Sequence, residues 1–208
     1  MSILNQLSSA QGRKDEVPNQ ELAAKIVAAA NKEAVKELIE NLNNKNKDIQ
    51  NDCIKTLYEV AEKRPDLVSV YASDFIKLLD SKNSRMVWGT MTAISTITLE
   101  QPELVFNALP KIINMADTSG SVIARDHAMY ILSRLATIKK YYEDCLILII
   151  EQLIKAPVNQ FPMYTEITAP VIKDLDKPAY LKILADRLDD IDQESKRKRI
   201  EKVLKKMS

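Results

Sequence analysis

The sequence is poor in the residues that most enzyme sites depend on. Its 208 residues include one histidine, two cysteines, three glycines and one tryptophan, and aromatics make up 5%. With His127 standing alone, a paired-histidine mechanism or a histidine-based metal cluster is excluded. Cys53 and Cys145 lie far apart in apolar helical contexts, so they read as core thiols of a reducing compartment and not as a bridge or a metal pair. No glycine-rich phosphate loop is present, and no cofactor is expected. Gly12, Gly89 and Gly120 are too few for the turns of a β fold, whereas abundant Ala, Leu, Ile, Lys and Glu favour helix. No apolar run reaches the roughly 18–20 residues of a membrane span, and the first residues lack a basic-then-apolar leader pattern. A cytoplasmic protein without a membrane partner is the expectation.

What is present is charge, at 28% of residues, almost perfectly balanced to a net +1. The balance is uneven along the chain. Residues 193–208 carry seven Lys and Arg against two Asp and Glu, a local +5, which leaves 23 against 27, or −4, for the rest. A slightly acidic body disfavours a dedicated polyanion binder unless its cations gather on one face.

The centre of the chain repeats. Pro65 opens "RPDLVSVYASDFIKLLD", Pro102 opens "QPELVFNALPKIINMAD", and Lys139 precedes "YYEDCLILIIEQLI", each 37 residues after the last. Apolar positions superimpose at that interval. First helices align Ile49, Met86 and Ile123; Ile54, Met91 and Ala128; Leu57, Ile94 and Ile131. Second helices align Leu67, Leu104 and Tyr141; Phe75, Ile112 and Ile149; Ile76, Ile113 and Ile150. Pro65, Pro102 and later Pro178 suit a first helical turn, whose amides are unpaired in any case. Pro170, inside "MYTEITAPVIKDL", predicts a kinked or split helix. A shorter pair precedes the repeats, with Leu22 and Ile26, then Val35, Leu38, Ile39 and Leu42, at helical spacing. Residues 1–17 read as a partly ordered tail and residues 18–208 as a single domain.

Helical pairs in the high thirties, with proline opening the second helix, resemble the HEAT and armadillo repeat families over about residues 19–191. The resemblance implies an all-α fold, a right-handed α-solenoid of about five helical pairs closed by a C-terminal capping helix. It also implies second helices lining a concave surface that binds other macromolecules.

Candidate contact residues follow from subtracting the core positions. On the second helices the variable far side holds Phe106, Pro110 and Ile147 as an apolar centre, bordered by Lys77, Lys111, Asn114 and Glu151; an apolar centre with a polar rim suits a protein or peptide partner. Deep burial of the run "CLILII" at 145–150 is the competing explanation. Trp88 aligns with Asn51 and Arg125, both polar, which makes it either a contact residue or a cover over the adjacent repeat, with Gly89 allowing close approach. His127 aligns with Cys53 and Thr90, a half-buried structural position. The final helix, with Ile200, Val203, Leu204 and Met207 on one side and lysines on the other, fits a cap over the last repeat, and also a polyanion site. A non-enzymatic scaffold binding a protein or peptide is the leading expectation. A nucleic-acid-binding repeat protein, at the extreme resembling the HEAT-like DNA glycosylases, is the alternative.

Overall fold

The computed structural model describes residues 2–207, and among them the regular structure is helical throughout. After a short 3-10 turn at Ile3–Gln6 come α1 (Val17–Ala29), α2 (Lys32–Glu40) and the long α3 (Lys47–Lys63). Pro65 opens α4 (Pro65–Val68), which a 3-10 turn joins to α5 (Ala72–Leu78), and α6 (Ser84–Ile97) follows. The same order returns as α7 (Pro102–Asn107), α8 (Leu109–Thr118) and α9 (Val122–Ala136). The last part comprises α10 (Tyr142–Ile154), α11 (Phe161–Thr168), α12 (Lys177–Asp186) and α13 (Glu194–Met207). Asparagines set several starts: Asn31, Asn46 and Asn83 each accept a backbone amide of the following first turn, pairing a donor that a helix leaves open.

The second helix of the expected pairs is in two pieces. Breaks fall at Tyr71/Ala72 and Ala108/Leu109, 37 residues apart. Pro110 explains the second, because it has no amide to offer the carbonyl of Phe106 and its ring crowds that carbonyl. The unit is therefore a short helix, a second helix and a long helix. Pro170 behaves as expected: α11 ends at Thr168 and residues 169–171 form a 3-10 turn.

Two compact units divide the chain, Met1–His127 and Ala128–Ser208. In the first, α3 packs between α1 and α6, and the shorter helices α2, α4 and α5 stack on this row. Ile54 and Leu57 of α3 and Met91 and Ile94 of α6 are buried there with Phe75 and Ile112. In the second unit, α10 packs on α11 and α12, and Ala128, Ile131 and Ile149 are buried. Three of the six repeated positions are thus core in every copy. Ile76, Ile113 and Ile150 are half-buried in all three, as is Leu104. The Ile49 set does not hold: Met86 is buried, Ile49 is half-buried and Ile123 is 41% exposed.

Helix α13 lies over α11 and α12 through Ile200, Val203 and Met207. Three of its seven positive charges meet acids. Arg199 forks onto both oxygens of Glu166 at 2.6 and 2.8 Å, Arg197 meets Asp189 and Glu201, and Lys198 meets Glu194. The Arg199 hydrogen bonds hold the Glu166 carboxyl below its ordinary pKa. Arg199→Ala is expected to cost about 0.5–1 kcal/mol, since the pair is partly solvent-exposed. Because the Glu166 pKa is depressed on folding, that contribution is present above its unfolded value and fades as pH falls through the folded one. Thermal denaturation of both proteins at pH 7 and pH 3 checks it, with the difference shrinking at low pH.

Candidate binding cleft in the N-terminal unit

A cleft of about 750 Å³ opens in the N-terminal unit. The long helices α3 and α6 supply much of its lining, with Asn19 from α1, Ile123 from the first turn of α9, and residues of the 8–16 segment. Trp88 of α6 is in it and is 36% exposed. Gly89 sits beside the tryptophan because α6 runs hard against α3 there. A Cβ at Gly89 would lie 2.6 Å from Ile54 Cγ1.

Two polar networks organise the lining. Lys55, with a side chain only 12% exposed, bridges Glu59 at 2.7 Å and Glu16 at 2.9 Å, and its ammonium lies 4.7 Å from the Tyr58 ring centroid. Burial by itself depresses the Lys55 pKa, but hydrogen bonds with Glu59, Tyr58 and Glu16 outweigh it and hold the ammonium above the ordinary lysine value. Asp52 accepts from Asn19 Nδ2 and from the Ser9 backbone amide, both at 2.7 Å. Asn19 Oδ1 in turn accepts from the Ser8 amide at 3.0 Å.

On the α6 side, the Thr92 hydroxyl donates to the Trp88 carbonyl at 3.0 Å, which leaves its oxygen to accept from His127 Nε2 at 3.0 Å. His127 therefore ties α9 to the turn that carries Trp88. Asn51 Oδ1 accepts from Asn83 Nδ2 at 2.9 Å, linking α3 to the cap of α6. Among the lining residues, Arg13, Lys14, Lys55 and Arg85 face an equal number of acids, Asp15, Glu16, Asp48 and Asp52. The cleft has no excess of either sign.

No family model matches the sequence, and no curated protein matches it. Solved structures do. A designed armadillo repeat protein in complex with the peptide (KR)4 superposes with a TM-score of 0.67 at 16% identity, over 91% of this chain and 87% of its own. A computationally designed armadillo repeat protein for modular peptide recognition gives 0.65 at 18% identity, over 90% and 87%. An engineered protein gives 0.63 at 14% identity, over 100% and 98%. The fold is an armadillo-like helical repeat.

Within this armadillo-like frame, the candidate residues separate. Trp88 lies in the 750 Å³ cleft, on a first helix. Lys77 borders a smaller groove of about 540 Å³ between second helices, with Ile39, Tyr71 and Leu78, and pairs with Asp74 at 3.4 Å. Phe106 is half-buried, Pro110 and Asn114 are exposed, and Lys111 pairs with Asp80 at 2.7 Å. In the C-terminal unit, Ile147 is 63% exposed and Glu151 is exposed, one turn apart on α10. The cleft therefore gathers first-helix side chains, whereas the resemblance pointed to the second helices.

Sequence reasoning did not single out Asn19, Asp52 or Lys55, and it read the 8–16 segment only as part of a partly ordered tail. The legible signal was Asp52 and Lys55 flanking the core pair Cys53 and Ile54 of α3, and the dense run "GRKDE" between apolar anchors. Both cysteines are buried and free. Burial, with the nearby Asp52 and Glu37 charges, pushes the Cys53 thiol up to about 12; burial, with Asp144, does the same for Cys145. Neither is an activated nucleophile. Among the described residues no cluster of His, Cys, Asp and Glu has the grouping of a metal site, and no helix is long and apolar enough to cross a membrane.

Proposed function

We propose that this chain is a non-enzymatic helical-repeat scaffold that holds an extended protein or peptide segment in the Trp88 cleft. The observation that carries the reading is a part-exposed tryptophan set on packed helices inside a concavity. A rigid aromatic in a preformed cleft buries large area at small entropic cost, which is how binding hot spots work. Arg85, one turn before Trp88 and exposed, adds a polar contact at the rim. The peptide complex of the designed neighbour supports a peptide over other partners. The balanced charge of the lining gives a nucleic acid no particular advantage. Two free, buried cysteines support a reducing compartment, the cytoplasm.

Selection of a random peptide library on the folded protein tests the reading. Enriched peptides are expected to lose roughly 30-fold or more in affinity on Trp88→Ala and to shift the emission of this single tryptophan. Phe106→Ala, on the second helices, is the comparison. Peptides that ignore Trp88→Ala but fail with Phe106→Ala would move the site to the second-helix face, and a library yielding no binder would refute peptide binding itself.

A further inference from the structure

Residues 8–16 form one wall of the cleft, and their attachment to the body is slight. Leu7 is fully buried and anchors one end; Pro18, in the first turn of α1, anchors the other. Between them every residue from Ala10 to Glu16 is exposed. The segment closes on itself as a helical turn: Arg13 donates its amide to the Ser8 carbonyl at 2.9 Å, and Gly12 takes the left-handed conformation that ends such turns (φ 68°).

Its links to the helices are few and polar. The Ser8 and Ser9 amides, left open at the start of the turn, are accepted by Asn19 and Asp52 of the body, and Glu16 meets Lys55. The Ser8 and Ser9 hydroxyls, which normally cap such a turn themselves, are buried without a hydrogen-bond partner. Besides these, Asp15 and the Glu16 carbonyl take the Val17 and Gln20 amides of α1, and Gln11 donates to the Gln6 carbonyl, bonds next to the ends of the segment. A segment held otherwise by two borrowed acceptors and one ion pair, with two hydroxyls unanswered and no apolar side chain of its own buried, is poised for local opening.

The geometry points to residues 8–16 as a flap over the Trp88 cleft, latched by Asp52 and Lys55, whose release widens access to the tryptophan. Asp52 is the stronger latch, because its charge faces the amides at the start of the turn. Lys55 holds the far end through Glu16 and is itself fixed by Glu59. This inference is independent of what the cleft binds, so its test needs no ligand and its failure is separable from that of the peptide reading.

Hydrogen exchange on the full-length protein, with acrylamide quenching of Trp88, is the experiment. In the unsubstituted protein the amides of Ser8, Ser9 and Arg13 are expected to exchange at least about 10-fold faster than that of Leu57, deep in α3. Asp52→Ala is expected to speed them roughly another 10-fold, leave Leu57 unchanged and raise the quenching of Trp88. Lys55→Met serves as the second latch variant and keeps the test open if Asp52→Ala unfolds the unit; it is expected to act in the same direction. Flap amides that exchange only as slowly as Leu57 would overturn the inference, because the segment would then open only with the whole unit. So would flap exchange that rises in both variants while Trp88 quenching stays the same.

Discussion

Arg187→Ala is expected to destabilise the C-terminal unit by about 3–4 kcal/mol, the sum of two charge-assisted hydrogen bonds to carbonyls that water does not readily replace. Arg187 Nη1 donates to the Leu153 carbonyl at 2.7 Å and to the Ala156 carbonyl at 2.8 Å. These lie in and just beyond the last turn of α10, where a helix leaves few amides for its acceptors. Besides the arginine, the Leu153 carbonyl takes a long bond of 3.3 Å from the Ala156 amide. The guanidinium also lies 4.5 Å from the Phe161 ring centroid and pairs with Asp190 at 3.1 Å, with a side chain only 16% exposed. One side chain thus ties the end of α10 to α11 and to the turn after α12. Arg187→Lys keeps the charge but not the planar group that stacks while donating, so it is expected to recover less than half of the loss. Urea unfolding followed by hydrogen exchange of α10–α12 measures both. A loss under about 1 kcal/mol for Arg187→Ala would mean that the two carbonyls are satisfied some other way.

Gly89→Val is expected to cost about 3 kcal/mol or more, by forcing apart helices that now touch. The new Cβ would lie 2.6 Å from Ile54 Cγ1 and 3.2 Å from Cγ2, and Ile54 is buried at 2% exposure. Neither carbon is the free end of a flexible chain, so the helices themselves must move. Gly89→Ala is milder, at a net cost of about 1–2 kcal/mol, since alanine's better helix propensity returns about 1 kcal/mol of the overpacking. The decisive measurement is the cycle with Ile54→Ala, which removes both clashing carbons. Gly89→Ala should be nearly free, or stabilising, in that background. Equal costs in both backgrounds would show that the glycine serves backbone conformation and not the approach of α3. The same change is expected to shift Trp88 emission, because Trp88 precedes Gly89 on the helix that moves.

The repeat was open to sequence reading because burial leaves a periodic trace. Positions such as Leu57, Ile94 and Ile131 point at the same layer in each copy, so the same physics selects an apolar side chain every time. Prolines and capping asparagines mark helix starts through local chemistry alone. That much of the fold, including the break at Pro170 and the covering face of α13, was determined by residues acting on their own neighbourhood.

Ile123 shows where this kind of reading stops. It keeps the apolar identity of its aligned positions, yet it lines a cleft, because it falls in the first turn of α9. The cleft needs information that no period carries. Asp52 finds the Ser9 amide 43 residues away, Lys55 finds Glu16, and Thr92 finds His127. Each pairing occurs once, so nothing in the repeat announces it. The sequence by itself determined which faces of the helices must be dry. Only the packed structure decided which polar side chains meet, because a hydrogen bond depends on positions set to a few tenths of an ångström by every helix between its partners.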